Sequence, residues 1–214
     1  MTKNKNLNMN ILPLTEKYRP TKLSECILPK RLSNPLSKWV RKSPNHLIFH
    51  GGAGIGKTST AISIAKELSP DDYTLFNASK YNSVDFIREY LSKMMSSISL
   101  YSQKRILILD EADGLSKDAQ TNLRKPLEDY SHLCSVIFTY NYTNKIIEPL
   151  KSRCFEFDFS IKKNELLEVK KNVKKRLKTI IKKERIKITN TSLDNLISTN
   201  FPDMRKCVNQ LELY

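Results

Sequence analysis

A chain of 214 residues that is 39% hydrophobic, with 37 Lys and Arg against 22 Asp and Glu and a formal charge of +15, suits one α/β domain and a small accessory one. No apolar run approaches the roughly 20 residues needed to cross a bilayer. The polar start MTKNKNLNMN also lacks the apolar core of a secretion signal, which predicts a soluble, intracellular protein without membrane partners. Cys26, Cys134, Cys154 and Cys207 stand 108, 20 and 53 positions apart, without a Cys-x-x-Cys pair or clustered histidines. They read as reduced, mostly buried thiols rather than metal ligands or a disulfide framework.

The positive charge is uneven. Residues 1–50 net +8, 51–160 net −1, 161–187 net +9 and 188–214 net −1, so two blocks carry the excess that points to a polyanionic partner. Residues 1–11, Asn- and Lys-rich, are expected to be disordered, and a stretch punctuated by Pro13, Pro20 and Pro29 follows. His46-Leu-Ile-Phe-His50 predicts a short buried strand that runs into glycines. Thr58–Leu68 then has helical spacing at Ile62, Ala65 and Leu68. Tyr73–Asn77 predicts a second strand and Val84–Ile98 a helix. Arg105–Leu109 is nearly pure aliphatic, as expected for a strand covered on both faces. Ser116–Tyr130 predicts a helix with Ser116 as N-cap, in which Pro126 should bend the second half, and Ser135–Thr139 a fourth strand.

Strands alternating with helices imply an α/β fold, a doubly wound parallel sheet with right-handed crossovers, over residues 12–160. No strand pattern recurs afterwards. Leu166, Val169, Val173, Leu177 and Ile180 step by three or four, which predicts an amphipathic helix over 162–183 with its lysines on the opposite face. Two more helices near 191–199 and 202–213 complete a small all-helical domain over 161–214.

Four of the five glycines, Gly51, Gly52, Gly54 and Gly56, fall within six residues. Gly51-Gly-Ala-Gly-Ile-Gly-Lys57-Thr58 fits G-x-x-x-x-G-K-[ST] between a strand and a helix, where glycines let backbone N–H groups wrap a phosphate chain. Lys57 would reach the β- and γ-phosphates of ATP, and Thr58 would offer a hydroxyl to Mg²⁺. Ala53, Ile55 and Ser59 complete the loop. Asp110, at the carboxyl end of the Ile106–Leu109 run, is placed to hold the metal, and Glu111 to polarise an attacking water as a general base. Asp110-Glu-Ala-Asp113 also spells a helicase signature, but 160–214 is too short for the second α/β domain that a helicase needs.

Glu16-Lys-Tyr-Arg-Pro20, the glycine loop, Asn77-Ala-Ser79, Asp110-Glu-Ala-Asp113, Thr139-Tyr-Asn141, Ile146-Ile-Glu-Pro-Leu150, Ser152-Arg-Cys154 and Phe201-Pro-Asp-Met-Arg-Lys206 occur here in one order. That order resembles the AAA+ ATPases of sliding-clamp loaders, the replication factor C small subunits and their phage and viral counterparts. The resemblance implies an ATP-dependent loader acting at primer–template junctions in DNA replication, with the sliding clamp, DNA and other loader subunits as partners. It places the protein in a bacterial cytoplasm, a nucleus or a viral factory. It also implies roles for single residues. Asn141 would position the lytic water, Arg205 would reach from the helical lid to the γ-phosphate of its own site, and Arg153 would act in trans on a neighbour's ATP. Thr15, Glu16, Lys17, Tyr18 and Ile27 would contact the adenine side. Lys80 and Arg88 after the second strand, with Lys117 and Arg124 after the third, would grip duplex DNA along its backbone.

The family usually continues past the lid into a helical collar, and the chain stops at Tyr214, so the expectation is that the collar is absent or lies on another polypeptide. Other classes are a low-turnover clamp-docking subunit and a different AAA+ replication or repair ATPase. Lys57, Thr58, Asp110, Glu111, Asn141 and Arg205 occurring together argue against an inactive site, and Ser152-Arg-Cys154 against the second.

Overall fold

Runs of β-branched and aliphatic residues that must be covered on both faces form the centre of the computed structural model, which describes residues 12–41, 45–100 and 102–214. The tail expected to be disordered over 1–11 lies outside the described residues. The strands are His46–His50 (β1), Tyr73–Asn77 (β2), Arg105–Asp110 (β3), Cys134–Tyr140 (β4) and Cys154–Asp158 (β5). They pair in parallel in the order β2-β3-β4-β1-β5. Alternation along β3 sends Ile106 and Ile108 to one face and Leu107 and Leu109 to the other, the period of two that a pleated strand imposes.

Helices cover both faces. After the short α1 (Leu14–Lys17), α2 (Lys30–Arg41) and α3 (Lys57–Leu68) bring Leu32, Leu36, Ala61 and Ile64 against Leu47, Phe49, Ile108 and Ile137. On the other side a π-helical segment (Phe86–Leu91) runs into α4 (Ser92–Ser96), followed by α5 (Lys117–Asp129) and α6 (Glu148–Lys151). These bring Ile87, Leu91, Met95, Leu123, Leu127 and Leu150 against Ile48, Leu107, Val136 and Phe138. Ser116 caps α5 by accepting the Ala119 N–H, as expected, and the helix runs on through Pro126.

The last helices, α7 (Leu166–Glu184), α8 (Asn190–Asn200) and α9 (Met204–Asn209), enclose a separate cluster built on Val169, Val173, Leu177, Ile180, Leu193, Ile197, Cys207 and Leu211. Leu14, Tyr18 and Ile27 pack against this cluster, so the N-terminal arm lies on the helical lid. Arg31 of α2 joins the two parts, donating to the Asp158 carbonyl (2.7 Å) and pairing with Glu165 (2.9 Å).

Three features depart from the sequence pattern. Helix α2 forms despite Pro35 in its interior, which had hidden it among the prolines before β1. Strand β5 alternates apolar with acidic residues in Cys154–Asp158 and is an edge strand whose Phe155 stays exposed, so its hydrophobic signal is weak. Leu166, assigned to the buried stripe, is 39% exposed at the first position of α7.

His46 is buried in the sheet, its Nδ1 accepting the Val136 N–H (3.1 Å) and its Nε2 donating to the Leu127 carbonyl (2.7 Å). The bond accepted at Nδ1 requires the neutral ring, and burial pushes its pKa down against the opposing pull of the Leu127 carbonyl. Below about pH 6.5 the unfolded chain takes up a proton that the folded ring refuses, so this stability is present above that pH and lost below it. Urea unfolding between about pH 7.5 and about pH 5.5 should show a falling midpoint, with a shallower fall in His46→Gln. Equal slopes would remove His46 as the cause.

Candidate nucleotide-binding site

Six residues carry the chain from His50, the last of β1, to Lys57, the first of α3. Gly51 (φ 130°), Gly54 (φ 69°) and Gly56 (φ 96°) adopt conformations that side chains rarely reach. Gly56 directly precedes α3, whose first-turn N–H groups have no intrahelical partners and sit at the positive end of the helix dipole. The loop is thereby an anion cradle.

Lys57 is 7% exposed, and an unpaired buried ammonium would be costly. Its Nζ donates to the carbonyls of Gly51 (2.8 Å) and Gly52 (2.6 Å) and to Asn141 Oδ1 (2.8 Å), which uses all three protons. Burial pushes its pKa down to about 8, against the opposing pull of Asp110 and Asp113, while Arg205 lowers it further. Asn141 follows β4, and its backbone N–H and that of Tyr142 donate to Asp113 Oδ2 (3.3 Å each).

Asp110 ends β3 and accepts hydroxyl bonds from Thr58 (2.7 Å) and Thr139 at the same oxygen. Among the described residues no group of three His, Cys, Asp or Glu could hold a metal ion. One carboxylate beside the Thr58 hydroxyl is nevertheless an all-oxygen donor set that suits Mg²⁺ completed by phosphate oxygens and water. Glu111 sits in the left-handed region (φ 56°), uncommon for a residue with a side chain. Its Oε2 accepts from Asn77 Nδ2 (3.1 Å) and Ser79 Oγ (3.0 Å). Gly114 makes room for this contact, since a Cβ there would lie 2.6 Å from Ser79 Oγ.

The cavity above the loop is lined by three parts of the chain. The sheet side supplies Ala53, Gly54, Gly56, Lys57, Thr58, Ser59, Asp110, Glu111 and Asn141. The arm supplies Thr15, Glu16, Tyr18 and Ile27, and the lid Arg176, Ile180, Met204, Arg205 and Val208. Most of the expected nucleotide contacts are thus together. Lys17 instead points to Glu184 on the lid (2.8 Å), and Ile55 is buried in the core beneath the loop. Arg153 lies away from this cavity, pairing with Glu128 of α5 (2.6 Å) and donating to the Pro149 carbonyl (2.5 Å). Lys80 and Lys117 are exposed. Arg88 bonds Asn122 of α5 (3.0 Å), which brings the segments after β2 and β3 side by side.

Sequence reasoning assigned no role to Arg176, Thr139, Asp113 or the Asn77–Ser79 pair. Asn77-Ala-Ser79 and Thr139-Tyr-Asn141 were visible as motifs, whereas Arg176 lies in a lysine-rich helix with nothing to distinguish it. Its Nη2 donates to the Tyr18 carbonyl (2.9 Å) and so ties the arm to the lid.

A strand–glycine loop–helix unit with a buried lysine, and a carboxylate at the same end of a parallel sheet, define a P-loop nucleotide-binding protein. The chain belongs to the ATPase family associated with various cellular activities (AAA), which matches residues 47–164. Residues 165–214 match the sliding-clamp-loader large subunit, AAA+ ATPase lid domain. The chain is 38% identical over 203 residues to a replication factor C small subunit of Archaeoglobus fulgidus, covering 92% of this chain and 62% of the relative. It is 37% identical over 210 residues to that of Methanococcus maripaludis, covering 94% and 64%. The chain therefore spans a little under two thirds of the length of these curated relatives. In fold it is similar to the RuvB Holliday junction branch migration motor of Thermotoga maritima, with a TM-score of 0.75 at 18% identity over 91% of this chain and 64% of that one.

The lid rests directly on the loop. The Met204 N–H donates to the Gly54 carbonyl (2.9 Å), and a Cβ on Gly54 would run into the Asp203 carboxylate, which caps α9 through the Lys206 N–H. Gly54→Ala should speed amide hydrogen exchange throughout α9 by about tenfold or more. Gly52→Ala, where a Cβ meets nothing within 4 Å, should leave it unchanged. Equal exchange in both variants would show that the loop does not hold the lid.

Proposed function

We propose that the protein is the ATPase subunit of a sliding-clamp loader acting at primer–template junctions, with its ATPase domain over 12–160 and its lid over 161–214. ATP binding drives engagement of clamp and DNA, and hydrolysis to ADP and phosphate releases the loaded clamp. The observation that carries this reading is a P-loop cavity closed by a lid that matches the clamp-loader lid family. The replication factor C small subunit relatives support it.

The glycine-loop N–H groups bind the phosphate chain, and Lys57 exchanges its carbonyl partners for β- and γ-phosphate oxygens. Thr58 and Asp110 would hold Mg²⁺, which when bound neutralises charge developing on the phosphates. Glu111 takes a proton from the attacking water, and Asn141, held by Asp113 and Lys57, orients that water. Arg205 brings the lid to the γ-phosphate, while Thr15, Glu16, Tyr18 and Ile27 face the base. Lys17 supports this arm through Glu184. Arg153, outside its own cavity, reaches a neighbouring subunit's ATP, a contribution on the order of 10³–10⁵ in kcat.

The Asn77–Ser79 pair holds Glu111 by two hydrogen bonds, and the same segment continues into Lys80. Duplex backbone gripped by Lys80, Arg88, Lys117 and Arg124 pulls on the groups that restrain Glu111, which links DNA contact to hydrolysis. Asn77→Ala in the assembled complex should raise turnover without DNA several-fold and shrink the stimulation by DNA. An unchanged ratio would end this linkage.

Primer–template DNA plus the cognate clamp should stimulate hydrolysis by the chain with its partner subunits; a rate unaffected by both defeats the loader reading. Lys57→Ala should abolish ATP binding. Arg153→Ala should keep ATP affinity within about twofold yet lower turnover of the complex at least 10³-fold. Mixing with subunits that keep Arg153 but lack Lys57 should restore activity at the shared interface. Loss in the isolated chain with no such rescue would instead place Arg153 in cis.

A further inference from the structure

Helix α7 carries more lysine than its packing uses. Its inner face buries Val169, Val173, Leu177 and Ile180 against α8 and α9. Lysines on its flanks have tasks within the fold: Lys174 pairs with Asp194 of α8 (2.5 Å), and Lys170 donates to Ser198 (3.4 Å). Lys183 lies over the Tyr18 ring (5.8 Å).

Lys171, Lys175, Lys178 and Lys182 differ. All four are exposed, and among the described residues none of their ammonium groups has an ion pair or hydrogen bond. Their spacing of four, three and four residues sets them in one row opposite the buried stripe. Between Lys171 and Lys182 the outward face otherwise shows Asn172 and Thr179. Glu168, one turn before Lys171, forms no ion pair with it among the described residues. Like charges at such spacings oppose the helix, so the row works against the fold that carries it.

We infer that this row is a binding surface for nucleic-acid backbone, separate from the four residues proposed above to grip the primer–template duplex. The row extends about 16 Å along the helix axis, and duplex DNA passes one phosphate per about 1.7 Å of its axis, so every ammonium has several phosphates within reach. Lysine is a compact charge on a flexible stem and needs no fixed bidentate geometry, which fits contact with a polyanion irrespective of sequence. A protein partner would need a desolvated apolar or aromatic anchor at the centre of its footprint, and the centre of this row has none.

The test uses the whole chain with all four lysines changed, K171Q, K175Q, K178Q and K182Q, and a fluorescent duplex of about 30 base pairs titrated at several salt concentrations. The plot of log affinity against log salt should become shallower by about 3 to 4, while binding of a non-hydrolysable ATP analogue stays unchanged and reports an intact fold. A parallel variant with Lys80, Arg88, Lys117 and Arg124 changed to Gln separates the two surfaces. If the proposed primer–template contacts are wrong, that variant keeps the full salt slope while the α7 variant still shows the shallower one. An unchanged salt slope in the α7 variant overturns the inference. So does retained DNA binding with loss of binding to polyglutamate, which would assign the row to an acidic protein.

Discussion

The buried ammonium of Lys57 is the point on which the rest of the structure depends. A cradle of backbone N–H groups can hold phosphates only if the chain turns sharply between β1 and α3, and three positive-φ glycines make that turn. The turn buries Lys57 beside the loop it follows, where it must find three acceptors. Two are loop carbonyls and the third is Asn141, so the loop is fastened to the end of β4. Asp110 fastens β3 to the start of α3 through Thr58 and to β4 through Thr139. The sheet is thus locked at the end that carries the glycine loop.

The other half of the cavity is assembled differently. The lid core takes in Leu14, Tyr18 and Ile27 from the N-terminal arm, and Arg176 and Glu184 of α7 hold Tyr18 and Lys17. The glycine loop with its anion cradle therefore belongs to the sheet, and the far wall of the cavity to a unit made of arm and lid. Gly54 and Met204 join the two across the loop, with Arg31 joining them again near Glu165. A ligand bonded to groups on either side of these few links would gain leverage over the relative position of the two halves.

Charge shows why totals mislead. The block over 161–187 nets +9, yet its cations differ: Lys170 and Lys174 are tied to α8, Arg176 turns toward the cavity, and Lys171, Lys175, Lys178 and Lys182 have no side-chain partner among the described residues. Periodicity separates the buried face from the exposed one, but only packing tells which cations are satisfied. Along 51–160 basic and acidic side chains nearly cancel in number, and Lys57, Arg105 and Arg153 each meet carboxylates or carbonyls at close range.

Strands β1 to β4, the helices that follow the glycine loop and β3, and the lid helices were legible because each is a local pattern: a run, a period, a cap or a glycine. The phosphate cradle and Asp110 were legible for the same reason, since each occupies a fixed place beside a recognisable strand, whereas Asn141 was singled out only through the resemblance that the order of motifs carries. Strand β5 and helix α2 were not, because an edge strand with one exposed face and a helix holding Pro35 carry weak local signals and form through contact with the sheet. The direction of Lys17, the restraint on Glu111 by Asn77 and Ser79, the pairing of Arg153 with Glu128 and the seating of Asp203 against Gly54 join segments far apart in the chain. The sequence alone determined which groups could bind a nucleotide; only the tertiary structure decided which of them meet, since hydrogen bonds and ion pairs depend on distances that no local pattern contains.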